Sequence, residues 1–136
     1  MLLRIYTDGA ARGNPGKSAS GYSISDAHGK LIYKNTEYNG IATNNVAEYN
    51  AVINALRKAI DRFGEDNDIE LFSDSKLIVN QLNGNYRVKD SKLKELNSEA
   101  MVLLGKFKSC SLNNVPRENP GIVAVDKELN IFLDRI

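Results

Sequence analysis

The 136-residue chain has no tryptophan, a single cysteine, a single histidine and only three prolines. With Cys110 alone, no internal disulfide forms, so burial must hold the fold and a reducing cytoplasm is the expected compartment. Cys110 itself reads as a small core residue on an apolar strand. The histidine, His28, falls in the turn-like stretch AHGK and reads as structural or solvent-exposed. No apolar run approaches the length of a membrane span, so no membrane partner is expected. The opening MLLRIYTDG lacks a basic stretch followed by a long apolar one, so no signal peptide is expected. Charge of either sign is also scarce in the balance: the net charge is +1, low for a nucleic-acid binder.

What is present suits one globular domain over residues 1–136, expected as a monomer and long enough to bury its own core. LLRIYTDG, GYSISDA and LIYKNTEY alternate with period two and predict three strands, the last two joined by AHGK. From Thr43 to Arg62 the period changes. Val46, Tyr49, Ile53, Leu56 and Ile60 recur at helical spacing, and Ala47, Ala51, Ala55 and Ala59 form a row that admits close packing on a sheet. IELFSD predicts a strand, SKLIVNQL a short helix, and Asp90 to Phe107 a long one with Leu93, Leu96, Ala100 and Leu103 on one face. CSLNNV predicts a last strand, and the tail from Val125 is helical in period. The order βββ-α-β-α-α-β-α implies an α/β fold with a mixed five-stranded sheet flanked by helices.

ARGNPGKS, residues 11 to 18, spells the loose form of a nucleotide-binding P-loop. That motif needs strand, loop and helix in succession, because the helix N-terminus helps to hold the phosphates. Here Lys17-Ser18 leads into a strand pattern. Gly13-Asn14-Pro15-Gly16 is therefore read as a hairpin turn, and no nucleotide cofactor is expected.

Four carboxylates occupy element junctions: Asp8 at the end of the first strand, Glu48 early in the first helix, Asp74 between strand and helix, and Asp126 near the start of the last helix. Each has an ordinary explanation. Asp74 suits an N-cap, Glu48 and Asp126 suit helix dipoles, and Asp8 suits a turn before Gly9. Four at the same sort of junction are harder to explain one at a time.

The segments YTDGAARGNPG, TNNVAEYNAVINAL, LFSDSKLIVNQLNGNY and VPRE…AVDKELN resemble, in order, the signature blocks of type 1 ribonuclease H in its compact form. The resemblance implies the ribonuclease H fold, three antiparallel strands followed by two parallel ones. It also implies hydrolysis of the RNA strand of RNA–DNA hybrids. Asp8, Glu48, Asp74 and Asp126 match the family's catalytic, metal-binding carboxylates, for two Mg²⁺ ions or alternatively Mn²⁺. Two such ions about 4 Å apart activate a water and stabilise the leaving oxygen, giving 5′-phosphate and 3′-hydroxyl ends. Setting aside four metal-neutralised acids would leave the rest of the molecule modestly basic.

By the same resemblance, Gly9 and Ala10 offer backbone groups to the ribose 2′-hydroxyl, and Asn14, Asn44 and Asn45 contact minor-groove edges and sugars. Thr43 either grips a DNA-strand phosphate or caps the helix. The chain also departs from the family. It lacks a basic handle between the middle helices, for which Arg87, Lys89, Lys92 and Lys94 are candidate replacements, and Lys76 stands where many relatives have glutamine. The stretch before Asp126 has Arg117 and Glu118 instead of a histidine, and Asn119 lies seven residues before the aspartate, where relatives often have asparagine four before. Glu118 either assists release by drawing a metal or proton toward solvent or is an ordinary loop acid paired with Arg117. Other readings are a resolvase- or transposase-like nuclease, a non-catalytic module binding hybrids or double-stranded RNA, and a P-loop NTPase.

Overall fold

The computed structural model describes all 136 residues. Its elements are β1 (Leu2–Arg12), β2 (Gly16–Ser25), β3 (Leu31–Ala42), α1 (Asn44–Phe63), β4 (Asp68–Ser73), α2 (Lys76–Leu82), α3 (Ser91–Leu104), β5 (Ser109–Asn114) and α4 (Pro120–Asp134). The strand order is β3-β2-β1-β4-β5. β1 to β3 form an antiparallel meander because short turns join them, while β4 and β5 run parallel to β1 after helical crossovers. This is the expected mixed sheet. No helix is long and apolar enough to cross a membrane.

The period-two pattern divides the sheet into two faces. Leu3, Ile5, Tyr22 and Ile24 join residues of α1 and α3 in the main core. On the opposite face, Ala19 packs with Leu129 and Leu133 of α4. Ala47, Ala51, Ala55 and Ala59 are all wholly buried, so the alanine row does bring α1 close to the sheet. Thr43 caps the helix by accepting a hydrogen bond from the Val46 N–H at 3.2 Å, and Gly64 ends it with φ 83°.

Two glycines set the distances on which the site depends. A Cβ on Gly9 would collide with the Ala47–Glu48 backbone, so only glycine lets α1 rest on β1 at that point. On the other face, a Cβ on Gly21 would sit 3.1 Å from the side chains of Val125 and Leu129, so Gly21 lets α4 lie close to the sheet. Gly21 is the β2 partner of Asp8, and α4 is thereby pressed against the same level of the sheet.

Three expectations need correction. β1 continues to Arg12, so Asp8 lies inside a strand and not at its end; the small residues after it simply continue the pairing with β2. α4 begins at Pro120, five residues before the expected Val125. Proline at the first helical position starts a helix, and Asn119 caps it by accepting from the Gly121 N–H at 2.9 Å. Much of the stretch before Asp126 is therefore helix, the buried face of α4 running Ile122, Val125, Leu129 and Leu133, and Asp126 lies in the second turn. Cys110 is exposed, because β5 is an edge strand. The reading of GNPGKS, by contrast, holds: Lys17 and Ser18 belong to β2, with Lys17 paired to Arg12 and Ile41, so the segment is a hairpin turn and a strand.

Candidate metal centre and adjoining groove

The pairing of β1 with β4 ends at Tyr6 and Phe72, whose rings stack with centroids 4.8 Å apart. Two residues further along each strand direction, and so on the same face, come Asp8 and Asp74. Asp74 is not the cap of α2. That role falls to Ser75, whose Oγ accepts from the Ile78 N–H at 3.3 Å, leaving the Asp74 carboxylate free. Glu48, the fifth residue of α1, arrives from the helix resting on Gly9. Carboxylate oxygens of Asp8, Glu48 and Asp74 all lie within 4.8 Å of one another. Asp126 stands outside this trio, though close enough for its charge to act on both Asp8 and Asp74.

Burial and mutual repulsion raise the proton affinity of the trio. Asp8, only 6% exposed, is pushed up to about 7, first by burial and then by the charge of Asp74. Glu48 rises well above its ordinary range through burial and the charge of Asp8. Asp74 is raised by burial, opposed by its own backbone amide and by the Arg117 guanidinium. Without a cation, the tightly packed Asp8–Glu48 pair retains a proton near neutral pH. One atom stands apart. Glu48 Oε2 is buried and has no hydrogen-bond partner, which is costly for a carboxylate unless a ligand completes it.

A separate groove of about 750 Å³, lined by none of the four carboxylates, runs between the β1–β2 turn, the end of β3 and the N-termini of α1 and α3. Asn14, Thr43 and Asn45 line it, together with Lys92 of α3. Asn44 is at its edge: its Oδ1 accepts from the Ala11 N–H at 2.8 Å, while its own N–H donates to Asn14 Oδ1 at 3.0 Å. Both oxygens are thus committed, and the amide N–H groups of Asn14 and Asn44 form no bond within the protein. The Gly9 N–H is also engaged, donating to Asp8 Oδ1 at 3.0 Å; Ala10 is paired with Ala19 in the sheet.

Arg87, Lys89, Lys92 and Lys94 are all exposed and take part in none of the four ion pairs. Of the four, Lys92 lines the groove. Arg117 and Glu118 are exposed and make no ion pair with each other; Arg117 instead acts on Asp74. His28 lies in the β2–β3 turn, its backbone N–H donating to Asp26 Oδ1 at 2.9 Å. A hydrogen-bond network centred on Tyr49, the residue after Glu48, escaped the sequence reading. The Tyr49 hydroxyl donates to Gln81 Oε1 at 2.7 Å and accepts from Asn97 Nδ2 at 3.1 Å, linking α1, α2 and α3. Tyr49 fits the apolar helix period, so the sequence carries no separate signal for it.

Residues 6–124 match the family model described as reverse transcriptase-like. Among curated proteins, ribonuclease HI of Halobacterium salinarum is 44% identical over 115 residues, covering 85% of this chain and 57% of the relative. The bifunctional protein Rv2228c of Mycobacterium tuberculosis is 36% identical over 118 residues, covering 86% of this chain and 32% of the relative. The chain therefore spans about half, or about a third, of those relatives' lengths. Among solved structures, RNase H1 of Halobacterium salinarum superposes with a TM-score of 0.93 at 39% identity, each chain fully covered. LC11-RNase H1 in complex with an RNA/DNA hybrid gives 0.84 at 36% identity, covering 96% of this chain and 99% of that one.

Proposed function

The chain belongs to the ribonuclease H1 family, and from that premise we propose that it is an endonuclease hydrolysing the RNA strand of RNA–DNA hybrids. The observation that carries this reading is the trio of Asp8, Glu48 and Asp74 with oxygens inside 4.8 Å, one of them buried without a partner. The donor set fits a hard divalent ion. It is all oxygen, it is repelled by itself, and a cation would complete Glu48 Oε2. Asp8, Glu48 and Asp74 would hold Mg²⁺, or Mn²⁺ in its place, with Asp126 adding the fourth carboxylate. When bound, a pair of such ions supplies an activated water and stabilises the leaving 3′ oxygen, so that products carry 5′-phosphate and 3′-hydroxyl ends.

The chain's own groups do the rest. Asp8, inside β1 and nearly sealed from water, would present its carboxylate to such an ion from a fixed strand position. The free amide N–H groups of Asn14 and Asn44 suit minor-groove acceptors, adenine N3 and pyrimidine O2, which every sequence offers. Gly9, Ala10 and Asn45 flank the ribose side, where a 2′-hydroxyl distinguishes RNA from DNA. The Thr43 oxygen caps α1, and its hydroxyl hydrogen remains for a phosphate. Lys92 supplies a cation at the groove that a basic handle would otherwise provide. The likeness to a solved hybrid complex supports this substrate class.

Matched RNA–DNA, DNA–DNA and RNA–RNA duplexes, each incubated with and without Mg²⁺, test the proposal on a gel. Cleavage confined to the RNA strand of the hybrid and dependent on Mg²⁺ is expected. Equal cutting of DNA duplex would favour a resolvase- or transposase-like nuclease, and tight binding without cleavage a non-catalytic module.

A further inference from the structure

β3 contains a bulge. Ala19 pairs with Tyr38 and Ser18 with Gly40, leaving Asn39 opposite no residue, and Gly40 takes the positive φ of 75° that such a kink favours. The Ser18 hydroxyl fastens the bulge by donating to the Gly40 carbonyl at 3.1 Å. A bulge re-aims a side chain, and here Asn39 Nδ2 donates to Ser20 Oγ at 2.6 Å. The wholly buried Ser20 hydroxyl in turn donates to the Ala47 carbonyl, also at 2.6 Å. Ala47 immediately precedes Glu48, and Ser20 is the β2 partner of Gly9, the glycine on which the Ala47–Glu48 peptide rests.

The hydrogen bonding fixes the direction of this chain. The single Ser20 proton is committed to Ala47, so Ser20 Oγ must accept, and the Asn39 amide must turn its nitrogen inward. Asn39 Oδ1 then has no partner in the protein, and Asn39 lines the groove beside Asn14, Thr43 and Asn45. We infer that Asn39 and Ser20 form a positioning relay that couples occupancy of this groove to the placement of the Glu48 carboxylate. The inference rests on the proposed hybrid substrate. An unpartnered acceptor at the groove calls for a donor on the nucleic acid, a guanine N2 amino group or a 2′-hydroxyl. Neither residue touches the reacting atoms; both act through the backbone of α1.

The isosteric Asn39→Asp keeps an acceptor at the groove but cannot donate to Ser20, so the Ser20 proton is drawn away from Ala47. Ser20→Ala cuts the relay at its middle. Half-saturating Mg²⁺ is read from the thermal shift of the free protein, and hybrid affinity is read separately in EDTA, where no cleavage occurs. Each variant is expected to raise half-saturating Mg²⁺ by about tenfold, as loss of an outer hydrogen bond behind a metal ligand does. The double variant is expected to be no worse than either single one. Hybrid affinity in EDTA is expected to fall in Asn39→Asp, because the new carboxylate sets a negative charge at the groove against the phosphates, and to persist in Ser20→Ala. Half-saturating Mg²⁺ within twofold of wild type in Asn39→Asp would overturn the relay, since that variant preserves shape even if Ser20→Ala unfolds. Additive effects in the double variant would overturn it too. A wild type that binds Mg²⁺ but cleaves no hybrid would instead sink the proposed activity and leave the Mg²⁺ comparison readable.

Discussion

Asp8 and Asp74 stand at matching heights on neighbouring parallel strands, each two residues beyond the last paired couple, Tyr6 and Phe72. Their juxtaposition is a consequence of register, so it survives substitution of either carboxylate. Asp8→Asn should therefore fold normally yet lose hybrid cleavage by at least about a thousandfold, since several kcal/mol of metal-dependent stabilisation disappear. Asp126→Asn, outside the closest trio, should lose less. Initial rates in saturating Mg²⁺ check both; near-wild-type turnover by Asp8→Asn would refute the assignment.

Metal-free stability should depend on pH in an uncommon direction. The ordinary value for Asp8 is 3.8, and in the fold it is pushed up to about 7. Folding therefore takes up a proton between those values. The contribution is fully present below about pH 4 and is lost as pH rises through about 7. In EDTA, the melting temperature of wild type should fall relative to Asp8→Asn across that window. At pH 8, Asp8→Asn should be the more stable protein, by on the order of 2 kcal/mol once the shift is shared with Glu48. Mg²⁺ should reverse the ranking by stabilising wild type alone. Parallel melting curves for the two proteins from pH 4 to 8 in EDTA would contradict the clustering.

Gly9→Ala should push α1 away from β1, because the new methyl meets the Ala47–Glu48 backbone. Overpacking of this kind costs about 1–3 kcal/mol. Displacement of Glu48 should also weaken the Mg²⁺-induced thermal shift. Urea unfolding with and without Mg²⁺ separates the two losses, and an unchanged Mg²⁺ response would show that Glu48 tolerates the shift.

The lysines of α3 should not be equivalent. Lys92 lines the groove with Asn14 and Thr43, whereas Lys94 does not. Lys92→Ala should raise KM and reduce the salt slope by about one unit, the share of one phosphate contact. Lys94→Ala should leave both alone. Equal effects from the two variants would point to a diffuse basic face.

Arg117 and Glu118 should act on different steps. Arg117 lowers the proton affinity of Asp74, so Arg117→Ala should move the acid limb of the pH–rate profile upward. Glu118 is exposed and unpaired in the folded chain. If it assists release, Glu118→Gln should lower the steady-state kcat more than the single-turnover rate. Equal losses in both regimes would eliminate a release role.

The sequence by itself determined the period of each element, the alanine row that seats α1, the hairpin character of GNPGKS and the four carboxylates. All of these are local properties, written in spacings of two, three and four residues. It misjudged β1 and α4, where small residues and a proline read as an ending and a loop, because strand length and helix start were decided by pairing with β2 and by the Asn119 cap. Only tertiary structure decided which carboxylates meet. The equal register of Asp8 and Asp74 comes from β1 lying beside β4, and the arrival of Glu48 from a helix resting on Gly9. The inward turn of Asn39 belongs to the same class. Ser20 extends the core-facing alternation of Tyr22 and Ile24, and a polar residue there was a faint signal. Its partner, however, sits on a bulge, and a bulge is a mismatch between two strands that neither strand's sequence contains alone.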